Sequence, residues 1–173
     1  MHHRFQTFIV ERDLLLPTDR DFKFHMASSN EQREFFETIC FADFAGKWRI
    51  TREIEDHSGG TTTFNGEANL SGCDDQMRYS ESGQVTLLNN KTIQAERTYL
   101  WRKGSDGQID VYFDDGRFFH RFSAGKPYAE HLCGDDLYKV IYDFTQWPVW
   151  RSTWQVIGPR KNYTMVSCYS PFS

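Results

Sequence analysis

From Gly46 onward, apolar and polar residues alternate with a period of two between clusters of turn residues, the pattern of antiparallel strands with one buried face. Strands are predicted over about 46–56, 60–70, 76–88, 92–103, 108–114, 117–123, 127–133, 137–144, 150–157 and 162–170. His57-Ser58-Gly59-Gly60, Asn89-Asn90, Gly104-Ser105-Asp106-Gly107 and Gly158-Pro159 read as turns. Ahead of them the period changes. Asn30 can cap a helix, Glu31 and Glu34 lie in its first turn, and Phe35, Phe36, Ile39 and Phe44 recur near helical spacing. This predicts one helix over 31–44, ending at Ala45-Gly46. Residues 1–30 hold no sustained period and form an arm left partly unassigned, so the predicted domain is 31–173. Eight to ten short strands joined by hairpins, with one helix, predict an all-β fold: a closed antiparallel barrel, whose closure removes exposed edges. A sandwich is the alternative.

The stretch GQIDVYFDDGRFFHRF, residues 107–122, shows the pattern most clearly. With Asp115-Gly116 as a two-residue loop, Phe113 pairs with Phe118, Val111 with His120 and Ile109 with Phe122, all on one face. Asp110 with Arg121 and Asp114 with Arg117 then make opposite-charge pairs on the solvated face. His120 is left pointing inward among apolar residues.

Other inward rows also carry polar groups: Trp48, Ile50, Arg52, Ile54; Met77, Tyr79, Glu81, Gly83, Val85, Leu87; and Ile93, Ala95, Arg97, Tyr99, Trp101. A three-residue loop over 89–91 sets Tyr79 opposite Trp101, Glu81 opposite Tyr99 and Gly83 opposite Arg97. Gly83 then leaves room for Arg97, and Glu81 reaches it diagonally as an ion pair. Buried ionic networks frequently do no better than apolar residues of equal volume. Repeated inward charges therefore point to a bound polar molecule, against the plainer reading that they only satisfy one another in a filled barrel.

Composition narrows the classes. The chain has 173 residues and is 16% aromatic, so rings supply most of the core volume. Its net charge of −4, with both signs interspersed, offers no basic face for nucleic acid. No apolar run approaches the roughly 20 residues of a membrane span, and the start lacks the apolar region of a signal peptide. A cytoplasmic protein is expected, with a homodimer left open. Cys40, Cys73, Cys133 and Cys168 are widely spaced and read as buried or partly buried free thiols. Tyr138, Tyr142, Trp150 and Trp154 read mainly as core, with ring stacking at a barrel mouth as the functional alternative for Tyr142 and Trp154. Trp147-Pro148 reads as a turn.

Chemistry can be assigned in more than one way. The candidate ligand-binding set is Arg52, Tyr79, Glu81, Arg97, Tyr99, Trp101, His120, Tyr142 and Trp154. The leading reading is binding of a small anionic or polar-aromatic ligand. The alternative is an isomerase, cyclase or lyase in which Glu81 and His120 act as acid and base and an arginine holds an anionic group. His120, His131 and Cys133 lack zinc-site spacing, so no metal and no cofactor is predicted. No nucleophile motif or phosphate-binding glycine loop is present.

Gly46-Lys47-Trp48 opening the first strand resembles the G-x-W motif of lipocalin-like, or calycin, barrels. That resemblance implies a closed end where Trp48 packs against an arginine from late in the chain, with Arg160 as the candidate. Together with F-x-G-x-A at 64–68, Y-x-E-x-G at 79–83, R-x-Y-x-W at 97–101, F-x-DGRFFHRF at 113–122, EHLCGDDLY at 130–138 and W-x-V-x-GPRKNY at 154–163, it is similar to a calycin-like family of unknown function. The resemblance covers about 46–170 and implies the barrel without residue roles. A resemblance to the nitrobindin branch of calycins adds haem binding as a third reading.

Overall fold

The computed structural model describes residues 39–172. Ten strands form one antiparallel sheet: β1 (Gly46–Asp56), β2 (Gly60–Cys73), β3 (Gln76–Thr86), β4 (Thr92–Lys103), β5 (Ile109–Phe113), β6 (Phe118–Phe122), β7 (Tyr128–Cys133), β8 (Asp136–Gln146), β9 (Val149–Gly158) and β10 (Lys161–Pro171). Each pairs with its neighbour in sequence except across β6 and β7, and β1 pairs with β10. The sheet thereby rolls into a barrel. It is nearly closed: β6 and β7 end the sheet on either side of a seam, linked at its base by one bridge between Ser123 and Lys126.

The predicted helix 31–44 differs. Its residues 31–38 lie outside the described residues, and Phe41–Phe44 form a single 3-10 turn. That turn still closes one end of the barrel. Phe44 is 1% exposed and meets Trp101, Phe122, Phe144, Trp147 and Trp150 edge-on. Trp48 packs on Trp147 and Trp150 and donates its indole N–H to the Phe44 carbonyl at 2.9 Å. Trp147-Pro148 forms the β8–β9 turn beneath it. Arg160 does not join Trp48. Trp48 is in register with Pro171, whereas Arg160 lies in the β9–β10 turn, roughly 35 Å away along β10.

The inward rows hold along β1 and β3, where burial alternates with period two. Two registers differ from expectation. Residues 87–91 form a wider loop, with Asn90 in the left-handed region at φ 61° and Thr86 paired with Thr92. Tyr79 therefore faces Tyr99, Glu81 faces Arg97 and Gly83 faces Ala95. In the 107–122 hairpin, Ile109–Phe122 and Val111–His120 pair as expected, but the register then shifts and Tyr112 faces Phe118. The turn holds three residues, Asp114-Asp115-Gly116, with Gly116 at φ 85° and the Phe113 and Arg117 main chains bonded across it. Phe118 is consequently 47% exposed, while Phe119 and His120 both point inward. Asp110 pairs with Arg121, but Arg117 bonds Asp115 rather than Asp114. Of the thiols, Cys40, Cys73 and Cys133 are exposed, not buried, because they sit at strand or turn ends; Cys168 is half-buried.

Candidate functional site

One layer above the aromatic closed end lies a charged group built by cross-strand register. Arg52 on β1 faces Phe64 on β2 and Ser167 on β10. Its guanidinium donates to Ser167 Oγ at 2.7 Å and to both Glu81 oxygens at 2.7 Å each. Tyr79 Oη donates to Glu81 Oε2 at 2.5 Å and lies 3.3 Å from Tyr169 Oη. Gly66 and Gly83 are paired, and the Phe64 ring lies where a Cβ on either would be. Without side chains there, the ring lies flat on the sheet with the Arg52 guanidinium 5.0 Å from its centre. Gly83 thus makes room for Phe64, not for Arg97. Burial alone would raise the Glu81 pKa, but Arg52, Arg97 and Tyr79 hold the carboxyl down to about 2. The expected ion pair exists with a different partner, Arg52, because of the β3–β4 register.

Arg97 is therefore left over. It faces Glu81 across the strand pair, yet both oxygens of that carboxylate are taken. Among the described residues its guanidinium has no side-chain hydrogen-bond acceptor; it lies 6.0 Å from the centre of the Tyr99 ring, close enough to Tyr163 to interact electrostatically. Two cations stand against one carboxylate. Arg97, Tyr99, Tyr163, Tyr138, Trp154, Phe113 and His131 are partly exposed though they face inward, which marks the open end of the barrel. Burial raises the Tyr99 and Tyr163 pKa values, so both stay neutral hydroxyl donors at neutral pH.

His120 sits apart from that charged group. Its Nε2 is 2.7 Å from Tyr142 Oη, its Nδ1 has no partner, and the rings of Phe119, Phe122, Tyr142 and Trp154 enclose it. Burial, helped by His131, lowers its pKa to about 3. General acid–base work favours a pKa near the working pH, and both Glu81 and His120 are far below it, each bound to its own partner. Haem does not fit on His120 either: one nitrogen is engaged by Tyr142 and the other faces packed rings. Among the described residues no group of three or more His, Cys, Asp or Glu comes together to hold a metal.

Of the remaining predicted residues, Tyr79 stacks on Trp101 with ring centres 5.9 Å apart, both within the core. Trp154 is at the mouth and Tyr142 is buried beneath it. The lumen is full. Beside Arg52, Glu81 and Arg97 it keeps a recess of about 30 Å³, room for about one water. The larger recess, about 400 Å³, is an open depression on the outer face over Lys47, Glu67, Ser82 and Glu96. Sequence reasoning missed Phe64, Ser167, Tyr169, Tyr163 and Phe119. Alternation along 162–170 could have found three of them, while the Phe119 bulge has no local signal.

A similar solved structure is an S-type phycobiliprotein lyase from Guillardia theta, with TM-score 0.58 and 11% identity over 79% of this chain and 94% of that one. At that identity the likeness shows a shared fold. No curated protein matches the chain. No helix of the described residues is long and apolar enough to cross a membrane. Residues 44–171, the whole barrel from its closing turn to the last strand, match the family of unknown function DUF6314, and the chain belongs to that family.

Proposed function

We propose that the protein binds a small organic anion with a planar, unsaturated body at the open end of the barrel, its anionic group on Arg97. The observation that carries this reading is the unmatched guanidinium. Glu81 is satisfied by Arg52 and Tyr79, so Arg97 stays half-buried with neutral phenols and a π face beside it and no acceptor among the described residues. Its nitrogens are not sealed from solvent, so an incoming anion can reach them and provide the missing acceptor. A carboxylate would supply one in bidentate form, with Tyr99 and Tyr163 as additional donors. The small recess beside Arg97, about 30 Å³, argues for a small ligand held at the mouth.

Titration calorimetry with 2-naphthoate, against the neutral 2-naphthamide, tests the reading. Hydrogen bonds to charged groups contribute roughly 1.5–3 kcal/mol. Arg97→Gln is therefore expected to weaken 2-naphthoate binding about tenfold or more while leaving any 2-naphthamide binding unchanged. Equal affinity of wild type and variant for 2-naphthoate, or preference for the amide, overturns it.

A further inference from the structure

We infer that the ring of Phe119 occupies the slot for the ligand's planar body, so that Phe119 is an internal stand-in which binding evicts; this rests on the reading of Arg97 above. Phe119 is the extra residue of the β6 bulge, where pairing passes from Val111–His120 to Tyr112–Phe118. The bulge turns it inward beside His120 and sends Phe118 out onto Tyr112. Its ring lies parallel to two others: Trp154, with centres 5.3 Å apart at 5°, and Tyr99, 5.7 Å apart at 12°. Both are partly exposed rings of the mouth, and Tyr99 is the ring nearest the Arg97 guanidinium. Offset parallel stacking at this spacing is how a planar aromatic ligand would be held.

Two observations make the ring displaceable. The recess beside Arg97 measures about 30 Å³ and does not include Phe119, so the ring of an anion seated on Arg97 would lie outside it, against the Tyr99 ring on which Phe119 now stacks. The strand carrying it is also an end of the sheet. β6 is laddered to β5 but not to β7, and a bulge leaves its extra residue outside the regular pairing. Across the seam, Phe119 meets the His131 ring at 5.1 Å. Phe113 and Tyr138 also pack on the Phe119 ring at this side, so its eviction moves side chains of the seam while the β5–β6 ladder can stay paired.

The test titrates 2-naphthoate into wild type, Phe119→Ala and the double variant Phe119→Ala with Arg97→Gln, and follows wild-type Phe119 by NMR of ring-13C phenylalanine, assigned with Phe119→Leu. Phe119→Ala is expected to bind one molecule per chain at least tenfold more tightly than wild type. The wild-type Phe119 signals are expected to shift more than those of other phenylalanines on saturation. A gain that survives in the double variant supports the slot and overturns the role of Arg97. Binding that depends on Arg97 but is no tighter in Phe119→Ala overturns the stand-in and leaves the anion reading in place. Unmoved Phe119 signals in saturated wild type, or binding by Phe119→Ala alone, also overturn eviction. If circular dichroism shows Phe119→Ala unfolded, the wild-type NMR decides.

Discussion

His120 is the residue whose surroundings make a measurable demand on the whole fold. Unfolded, its imidazole takes a proton near pH 6.5; folded among rings, it does so only near 3. As pH falls below 6.5 the unfolded chain gains a proton that the folded chain refuses, so stability is complete above 6.5 and declines toward pH 3. The slope is about 1.4 kcal/mol per pH unit, a loss of about 2 kcal/mol between pH 7 and pH 5. Urea unfolding across that range should show the loss in wild type and a clearly smaller one in His120→Phe, where only His131 still resists protonation. Parallel curves for the two proteins would refute the assignment. Glu81 acts lower: its contribution is present above its ordinary value of 4.5 and is lost as pH falls toward about 2, so pH 5–7 reports the histidines, His131 included, because burial lowers its pKa too. The inward direction of His120 was legible from alternation alone. The partner of Glu81 was not, since a loop two residues wider moves every pair on β3 and β4.

Among the elements, β2 and β3 set the close approach on which the charged layer depends. A Cβ on Gly83 would lie 2.4 Å from the Asn65 carbonyl oxygen and 2.6 Å from Gly66 Cα, both backbone atoms of the paired strand. Neither can move without opening the ladder. Gly83→Ala is expected to cost about 2 kcal/mol or more, in the upper part of the range for overpacked sites, and to lower the thermal midpoint by about 5 °C. Gly125→Ala, with nothing within 4 Å, is the control and should change the midpoint little. A Gly83→Ala protein as stable as that control would show that β2 and β3 separate freely. Strand extents were largely legible because turn chemistry and period-two burial are local properties. The β6 bulge was not, because FFH permits either phenylalanine to face inward; packing against Trp154 and Tyr99 selects Phe119.

At the level of the whole molecule, the barrel is a ladder interrupted at one place. β1 is paired on both sides, with β2 and β10, whereas among the described residues β6 and β7 each lack a strand partner across the seam. Side chains bridge that gap: Phe119 and Phe113 both meet His131. Local opening has its lowest cost where backbone bonds are fewest. Amide hydrogen exchange is expected to be about 100-fold or more faster for seam-facing amides of β6 and β7 than for those of β1, a difference of about 3 kcal/mol in opening free energy. Uniform protection around the ring would mean that the seam is as firm as the ladder. The opposite end is held by Phe44 and its five ring neighbours, so among the described residues the partly exposed rim of the lumen lies at the Arg97 end and the seam.

The amino-acid sequence by itself determined that there are eight to ten short strands, which face of most of them turns inward, and that Arg52, Glu81, Arg97 and His120 belong to the interior. These follow from alternation and turn residues, which act over a few positions of chain. Only the tertiary structure decided that Glu81 bonds Arg52, that Arg97 has no hydrogen-bonded carboxylate among the described residues, that Arg160 lies far from Trp48 and that Phe119 stacks between Trp154 and Tyr99. Each of those depends on strand register, on one inserted residue or on how the sheet closes, and register is set by the mutual packing of strands distant in sequence.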